Sequence, residues 1–361
     1  EIDELQSYDI HPLRRRFGDE QGMTLIAKWG ESFKGTRKYA RNSENARRMQ
    51  DDPPDRNYRG FRKVQGIVKT REWLYRRNED STPAFRPRAI HNVDGGAAAW
   101  LGSAVTEAMD RFKAKYNVFA DPQWIDTIDG QTWQFHACYG GASTDYELTY
   151  WKSRALQGPP GSVWITVAGD DSALIIISQT GKVIAIEADR SLYDGSQLEA
   201  PIVHENQVLK DLGVEETVLT DLCTLATAEW ALSDRKGFID IRYKTRVMRR
   251  LTGGPKTTFG NSVNTIFTEI HGAMAVIKGG CASPYDDYYR ATSSLGFKMK
   301  VRVHDDPKLL TFLKGMWFPC ALGPDVWTVL PSRVIKAGKS ATNPETIFRS
   351  VLRDLPKEKR H

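Results

Sequence analysis

The sequence predicts an α+β fold in which an antiparallel β-sheet is backed by α-helices. Three apolar runs of strand length, rich in β-branched residues, follow one another at 163–168, 173–177 and 183–188. Short turns separate these runs, so we expect them to pair as consecutive hairpins. Helical periodicity at 198–234 and at 261–277 supplies helices that can cover such a sheet.

The other elements are predicted from local signals along the chain. Residues 1–90 are polar, basic and rich in loop-forming residues, and Pro53-Pro54 breaks regular structure there. Further signals predict a helix at 96–116, a domain boundary at 158–161, a strand at 238–243, a helix at 284–295, and strand-like segments at 297–303 and 309–318. With 361 residues, the chain can form two or three packed subdomains.

The charge distribution indicates a polyanionic partner. The chain has a net charge of +6 and a sequence pI of about 9.0. Basic clusters are concentrated in residues 12–88, where they alternate with aromatic side chains. A channel for nucleic acid or nucleotides is one interpretation of this pattern, and an ordinary solvated surface is the other.

Cysteine use and hydropathy exclude several classes of protein. The cysteines form no C-x-x-C pair, so neither a zinc site nor a disulfide framework is predicted, and a reducing compartment is expected. No apolar run reaches the length of a membrane span. Because the chain begins at Glu1 instead of Met, we expect a processed product or an excised fragment.

Two aspartates are predicted at the tip of the first hairpin, in Gly169-Asp170-Asp171. Adjacent carboxylates on a tight turn repel each other unless a cation lies between them, so the turn is a candidate Mg²⁺ site. An ordinary acidic turn is the alternative. Other paired aspartates lack the preceding glycine and the flanking strands and are interpreted as solvated loops: Asp51-Asp52, Asp286-Asp287 and Asp305-Asp306.

A further carboxylate, Asp189, closes the third apolar run, and Asp194 follows it. A carboxylate at the end of a strand beside the acidic hairpin would complete an acidic cluster, in which Asp189 and Asp170 bridge two divalent cations. We expect these two carboxylates to lie within about 8 Å of each other, because the metals of such a site are roughly 4 Å apart.

These residues resemble the motifs of viral RNA-dependent RNA polymerases. Asp189 to Asp194 has the Asp-x-x-x-x-Asp spacing of palm motif A, and Gly169-Asp170-Asp171 is similar to motif C. Residues 252–262 resemble motif B, whose pattern is Ser/Thr-Gly, three residues, Thr, three residues and Asn. The order C, A, B is similar to that of the permuted polymerases of the permutotetravirus and birnavirus groups, and the Gly-Asp-Asp form is closer to the permutotetravirus group.

Shorter matches extend the resemblance over roughly residues 65–318. They are motif F at 67–72 and 85–90, motif D at 295–300, and motif E at 311–315. The resemblance implies a right-hand polymerase whose parts are fingers at 1–160 with motif F near 67–90, palm at 161–197 with motifs C and A, a helical insertion at 198–250, palm at 251–310 with motifs B and D, and motif E with the start of a short or truncated thumb at 311–361.

The resemblance also implies roles for individual residues in catalysis. Asp189 and Asp170 would be metal ligands, assisted by Asp171. Lys300 is the candidate general acid for departure of pyrophosphate, and Lys298 is its rival, because alternation places both lysines on the same face of a strand.

Nucleotide recognition is implied for residues of motifs A, B and F. Asp194, Thr257 and Asn261 are expected to sense the ribose 2′-hydroxyl, with helix capping as the alternative for Thr257 and Asn261. Arg88, Lys69 and Arg86 are expected to hold the triphosphate, with ordinary surface charge as the alternative. Gly253 and Gly254 would let the motif B loop flex as the template moves, with an ordinary turn as the alternative.

The implied activity is template-directed extension of an RNA 3′ end from nucleoside triphosphates with two Mg²⁺ or Mn²⁺ ions. The implied partners are template and nascent RNA, nucleoside triphosphates and other viral replicase components, in the host cytoplasm or the virion interior. A reverse transcriptase is one alternative, disfavoured by Ala168 before the turn and by Asp194 where a bulky ribose gate is expected. An inactive RNA-binding replicase module is the other, disfavoured by the intact aspartates.

Overall fold

A computed structural model describes residues 9–14, 22–69, 88–119, 121–191, 193–233, 240–244, 246–313, 315–318 and 325–329. The helices are α1 Leu25–Glu31, α2 Tyr39–Asp51, α3 Gly95–Lys115, α4 Asp145–Leu156, α5 Tyr193–Ser196, α6 Glu199–Asp211, α7 Glu216–Ala226, α8 Thr257–Lys278 and α9 Pro284–Ser294. The strands are β1 Lys63–Lys69, β2 Arg88–Val93, β3 Trp124–Ile128, β4 Gln131–Tyr139, β5 Ser162–Ala168, β6 Asp171–Ile177, β7 Val183–Ser191, β8 Glu229–Ser233, β9 Asp240–Tyr243, β10 Lys298–His304, β11 Thr311–Phe312, β12 Gly315–Phe318 and β13 Val326–Val329.

The central sheet has six strands in the order β10-β7-β6-β5-β4-β3. Neighbouring strands are antiparallel except β4 and β5, which run parallel and are connected through α4. Strands β5, β6 and β7 are the three apolar runs of the sequence, and tight turns join them. Their predicted pairing as consecutive hairpins is confirmed.

Both faces of this sheet are covered, and side chains alternate between them. Val163 of β5 belongs to the same buried cluster as Phe259 of α8. The next residue, Trp164, belongs to a second cluster with Trp151 of α4 and Trp317 of β12. Because both faces are packed, β5 is buried along its whole length, which explains why it reads as a continuous apolar run.

Two smaller sheets complete the fold. One has the order β2-β1-β8-β9, and the other has the order β11-β12-β13. The third sheet lies on the α4 side, and α8 and α9 lie on the opposite side of the central sheet. The predicted α+β class is therefore confirmed. Within the described ranges, no helix is both long and apolar enough to cross a membrane.

The structure differs from the predicted elements in three places. The helical segment at 198–234 is divided into α6, α7 and β8, because Gly213 takes a φ of +92° directly after α6. The expectation of a loop-rich start is wrong for α1, α2, β1 and β2. Helix α2 is polar over most of its surface and buries only a narrow stripe, so few apolar residues mark it in the sequence: Asn42, Ala46 and Met49. Elements β3, β4 and α4 were not predicted.

The predicted division of the chain into domains stays a prediction. Strands from both sides of the proposed boundary at 158–161 pair in one sheet, since β4 lies beside β5. Most of the segment predicted to begin a thumb, after Val329, lies outside the described residues, as does Arg86.

Candidate active site

The acidic residues of the two predicted motifs meet at one edge of the central sheet. Asp171 is the direct register partner of Asp189, and Asp189 is the direct partner of Lys300 on β10. Directly opposed residues of antiparallel strands share a face of the sheet, with Cβ atoms about 4.5–5.5 Å apart. A row of charged side chains therefore crosses the three strands β6, β7 and β10 at their ends.

Helix α8 holds the turn that carries Asp170. Gly169 has a φ of +65°, in the left-handed region that favours glycine. Its backbone N–H donates to Ser262 Oγ at 2.9 Å, and Thr265 Oγ1 donates to its carbonyl oxygen at 2.8 Å. Two side chains from one turn of α8 thus bind both backbone polar groups of Gly169, which fixes the acidic turn against this helix.

A buried ion pair lies behind the acidic row, on the α8 side of the sheet. Arg190 is 2% exposed, and its Nη2 donates to Glu269 Oε1 at 2.6 Å. Its Nη1 lies 3.3 Å from both the Asp170 carbonyl oxygen and Ser172 Oγ. Tyr288 OH also donates to Glu269 Oε1, at 2.7 Å. This cluster ties β6, β7, α8 and α9 together directly beneath the acidic turn.

The register separates the two lysines that alternation could not distinguish. Lys300 Nζ donates to Asp189 Oδ2 at 2.8 Å. Lys298 is instead the register partner of Ser191. Lys300 is the more exposed member of the pair with Asp189, at 68% against 43% of the side chain. An exposed ammonium at the acidic edge is available to a bound ligand.

The carboxylates of this edge influence one another electrostatically. Asp170 is exposed at the tip of the turn, yet desolvation by surrounding atoms raises the pKa of its carboxyl, and the charges of Asp189 and Asp194 raise it further. Arg190 acts in the opposite direction. In the part of the chain that the structure describes, no three His, Cys, Asp or Glu side chains converge as a ready-made metal site.

Asp194 and Asn261, from motifs A and B, are in direct contact. Asn261 Nδ2 donates to Asp194 Oδ1 at 2.7 Å. Asn261 is 7% exposed, and its Oδ1 is buried without a hydrogen-bond partner among the described residues. A buried acceptor without a donor is costly, so this amide oxygen is suited to accept a hydrogen bond from a ligand.

Thr257 does not point its hydroxyl at this pair. Its Oγ1 donates to the carbonyl oxygen of Leu251 at 2.5 Å, across the loop that precedes α8. The same loop contains Gly253, whose φ is +91°, and Gly254. The local contact of Thr257 agrees with the alternative that it stabilises the start of the helix.

Strand β2 is attached to this loop through His91. His91 N–H donates to the Thr252 carbonyl oxygen at 2.8 Å, and Thr252 N–H donates to His91 Nδ1 at 3.0 Å. Burial, together with the charge of Arg249, lowers the pKa of His91 to about 4. The imidazole is therefore neutral near pH 7, which leaves Nδ1 free to accept.

The strand pair β1–β2 carries the predicted triphosphate residues. Lys69 and Arg88 are direct register partners. Since His91 lies on the same strand as Arg88, the contact with Thr252 joins this strand pair to the loop of motif B. Arg86 lies outside the described residues.

Sequence reasoning missed the residues that hold the site from behind. Arg190 follows Asp189 with no periodic signal of its own, and its partner Glu269 is distant in sequence. One signal was available: Glu269 is the single carboxylate in the strongly apolar helix α8, and an ionised group on a buried helix requires a partner.

Comparisons with known proteins find similarity among solved structures and not among family models or curated sequences. No protein-family model matches the chain, and no curated protein matches it. Among solved structures, the chain is similar to the birnavirus VP1–VP3 complex, with a TM-score of 0.43 and 11% sequence identity. The match covers 82% of this chain and 40% of that chain, so this chain spans less than half of the neighbour's length.

Proposed function

We propose that this chain is an RNA-directed RNA polymerase with a permuted palm. The observation that carries the proposal is the row formed by Asp171, Asp189 and Lys300, which brings motifs C, A and D onto adjacent strands. Helix α8, which follows the motif B loop, binds the turn of motif C through Ser262 and Thr265. Four separately matched motifs thus converge on one edge of a sheet.

The permuted order is compatible with this arrangement. The hairpin of β5 and β6 precedes β7 in the chain, and β7 lies beside it in the sheet. A cation is sensitive to the positions of carboxylates and not to the order in which the chain reaches them. In this proposal the central sheet with α8 and α9 is the palm, the β1–β2 region belongs to the fingers, and the residues after β10 begin a short thumb.

The donor chemistry at this edge suits hard divalent cations. Asp170, Asp171 and Asp189 offer only carboxylate oxygens, which Mg²⁺ and Mn²⁺ prefer. Desolvation raises the pKa of the Asp170 carboxyl, and the charges of Asp189 and Asp194 raise it further. A bound cation would relieve the repulsion among these carboxylates. When bound, the ions would activate a 3′-hydroxyl and neutralise the triphosphate. Lys300, released from Asp189, would hold the proton that the leaving pyrophosphate accepts.

Sugar recognition is assigned to Asp194 and Asn261. Asn261 Oδ1 can accept from a ribose 2′-hydroxyl, while its Nδ2 is held by Asp194. A deoxyribose leaves that buried acceptor unpaired, and a site built for a hydroxyl rejects a substrate that lacks it. Thr257 contributes to this selection indirectly, by stabilising the loop before α8.

Replacing Asn261 by alanine is expected to narrow the preference for ribonucleotides over deoxyribonucleotides by about three- to ten-fold. The reason is the loss of one buried hydrogen bond that only the ribonucleotide makes. The two specificity constants are measured by single-nucleotide primer extension. Asn42→Ala is the matched control, because Asn42 is equally buried, at 7%, on α2. An unchanged ratio for Asn261→Ala contradicts the assignment.

Replacing Arg88 by lysine is expected to lower kcat/KM for nucleotides by about ten- to a hundred-fold. Lysine keeps the charge but loses the two-pronged geometry that suits phosphate oxygens, and a charge-assisted contact is worth about 1.5–3 kcal/mol. Steady-state kinetics measure kcat/KM for the nucleotides. Arg290→Lys, at an exposed arginine, is the control. Kinetics like those of the parent would move the triphosphate contact to Lys69, Arg71 or Arg86.

Primer extension on an RNA template tests the proposed function directly. The expected product is RNA, its synthesis requires Mg²⁺ or Mn²⁺, and a chelator stops it. Efficient use of deoxyribonucleotides would favour a reverse transcriptase instead. RNA binding without extension would favour an inactive replicase module. We further propose template RNA, nascent RNA, nucleoside triphosphates and other viral replicase components as partners, in the host cytoplasm or the virion interior.

A further inference from the structure

We propose that Glu205 is a positioning residue. Its single buried carboxylate binds both ends of the motif B loop, residues 251–256, and thereby positions Asp194 and Asn261, the sugar-reading pair. This inference rests on the proposed polymerase function. Glu205 belongs to none of the polymerase motifs matched in the sequence and lies on α6. Its side chain is fully buried, at 0% exposure.

Each oxygen of this carboxylate is bound by a flank of the loop. Arg250, which precedes the loop, donates through Nη1 to Glu205 Oε1 at 2.9 Å and through Nη2 to Oε2. Lys256, the last loop residue before α8, places Nζ 2.6 Å from Glu205 Oε1. Arg250 and Lys256 are themselves 4% and 7% exposed. One carboxylate therefore holds the two ends of the loop together.

Helix α8 has a glycine, Gly260, at the point where this carboxylate packs against it. A Cβ atom added at Gly260 would lie 1.6 Å from Glu205 Oε2 and 2.5 Å from an Arg250 guanidinium nitrogen. No other residue fits at that position without displacing the ion pair. The contact is therefore built into the packing between α6 and α8.

The same network reaches the two segments that carry the sugar-reading pair. Gln197 Oε1 accepts from Arg250 Nη2 at 3.2 Å and from Asn264 Nδ2 at 2.8 Å, and the Gln197 carbonyl oxygen accepts from Arg250 N–H at 3.0 Å. Gln197 follows the short helix that contains Asp194, and Asn264 lies one turn after Asn261 on α8. Arg250 thus ties both segments to Glu205.

The charges of this cluster depend on Glu205. Two buried cations share one carboxylate, and removal of its charge leaves both without a counterion. Desolvation already lowers the pKa of Lys256, while Glu205 raises it. A buried cation without a partner is strongly unfavourable, so we expect the flanks of the loop to separate when the carboxylate is neutralised.

The test compares Glu205→Gln with the double variant Glu205→Gln/Lys256→Met. Glutamine keeps the shape against Gly260 but loses the charge, so the ribonucleotide preference should fall by about ten-fold. Removing the Lys256 charge as well restores the charge balance of the cluster, so the double variant should recover part of the preference. Glu107→Gln is the matched control, since it neutralises another buried glutamate, which pairs with Lys28 on α1, and should leave the ratio of the two specificity constants unchanged.

A second measurement does not depend on activity. Hydrogen–deuterium exchange of peptides covering 193–197 and 251–256 should be at least about ten-fold faster in Glu205→Gln than in the parent, and slower again in the double variant. The positioning role would be overturned if Glu205→Gln had the same ratio of ribonucleotide to deoxyribonucleotide specificity constants as the parent. It would also be overturned if hydrogen exchange rose equally throughout the protein. A parent protein without primer extension would overturn the proposed function alone, and the exchange comparison would still decide whether Glu205 holds the loop.

Discussion

Replacing Asp170 or Asp189 by alanine is expected to lower RNA synthesis by at least about a hundred-fold while RNA binding is largely retained. The loss follows from removal of an oxygen ligand at the place where charge develops in the transition state. RNA affinity depends chiefly on Lys and Arg contacts to phosphate, which neither change removes. Primer extension measures the first quantity, and fluorescence anisotropy with labelled RNA at fixed salt measures the second.

Asp286→Ala is the matched control for these variants. Asp286 also belongs to a pair of adjacent aspartates, but it is exposed in the first turn of α9 instead of at the ends of the central strands. Its replacement should change both quantities little. Near-normal turnover of Asp170→Ala or Asp189→Ala would show that the metal assignment is wrong, and a parallel loss of RNA binding would point to misfolding instead.

Replacing Glu269 by alanine is expected to destabilise the protein by about 3–5 kcal/mol. The change leaves the Arg190 guanidinium buried without its counterion, at a position where both side chains are at most 1% exposed. Since domains are stable by only about 5–15 kcal/mol, the variant should lose a large part of its stability. Urea unfolding followed by tryptophan fluorescence measures the free energy change.

The comparison for this prediction is an ion pair of similar length whose arginine is exposed. Arg290 and Asp287 lie 2.7 Å apart, with the arginine side chain 77% exposed. Arg290→Ala should cost less than about 1 kcal/mol. The double variant Arg190→Met/Glu269→Leu removes both buried charges and should be more stable than Glu269→Ala alone. A cost for Glu269→Ala as small as that for Arg290→Ala would contradict the structural role of the pair.

Local patterns were sufficient for the elements that carry the candidate site. Strands β5, β6 and β7 were predictable because β-branched apolar runs and tight turns specify hairpins over short distances. Helix α8 was predictable from its helical periodicity. The tight turn before Asp170 was predictable from Gly169, because glycine readily adopts the left-handed φ that the turn has. The motif spacings identified Asp170, Asp189 and Asn261 as candidates. Helix α2 was not predicted, since few apolar residues mark it in the sequence. Strands β3 and β4 were missed although Asp129-Gly130, with φ of +51° and +77°, is a local hairpin signal between them.

Only the tertiary structure decided which candidates meet. The register of β7 with β10 places Lys300, and not Lys298, opposite Asp189, and a slip of one residue would turn both lysines to the other face. Two buried ion pairs join residues far apart in sequence: Glu205 with Arg250, and Arg190 with Glu269. Composition and spacing specify which groups are present, whereas strand register and burial determine which of them are neighbours, because those contacts form only when the whole chain is packed.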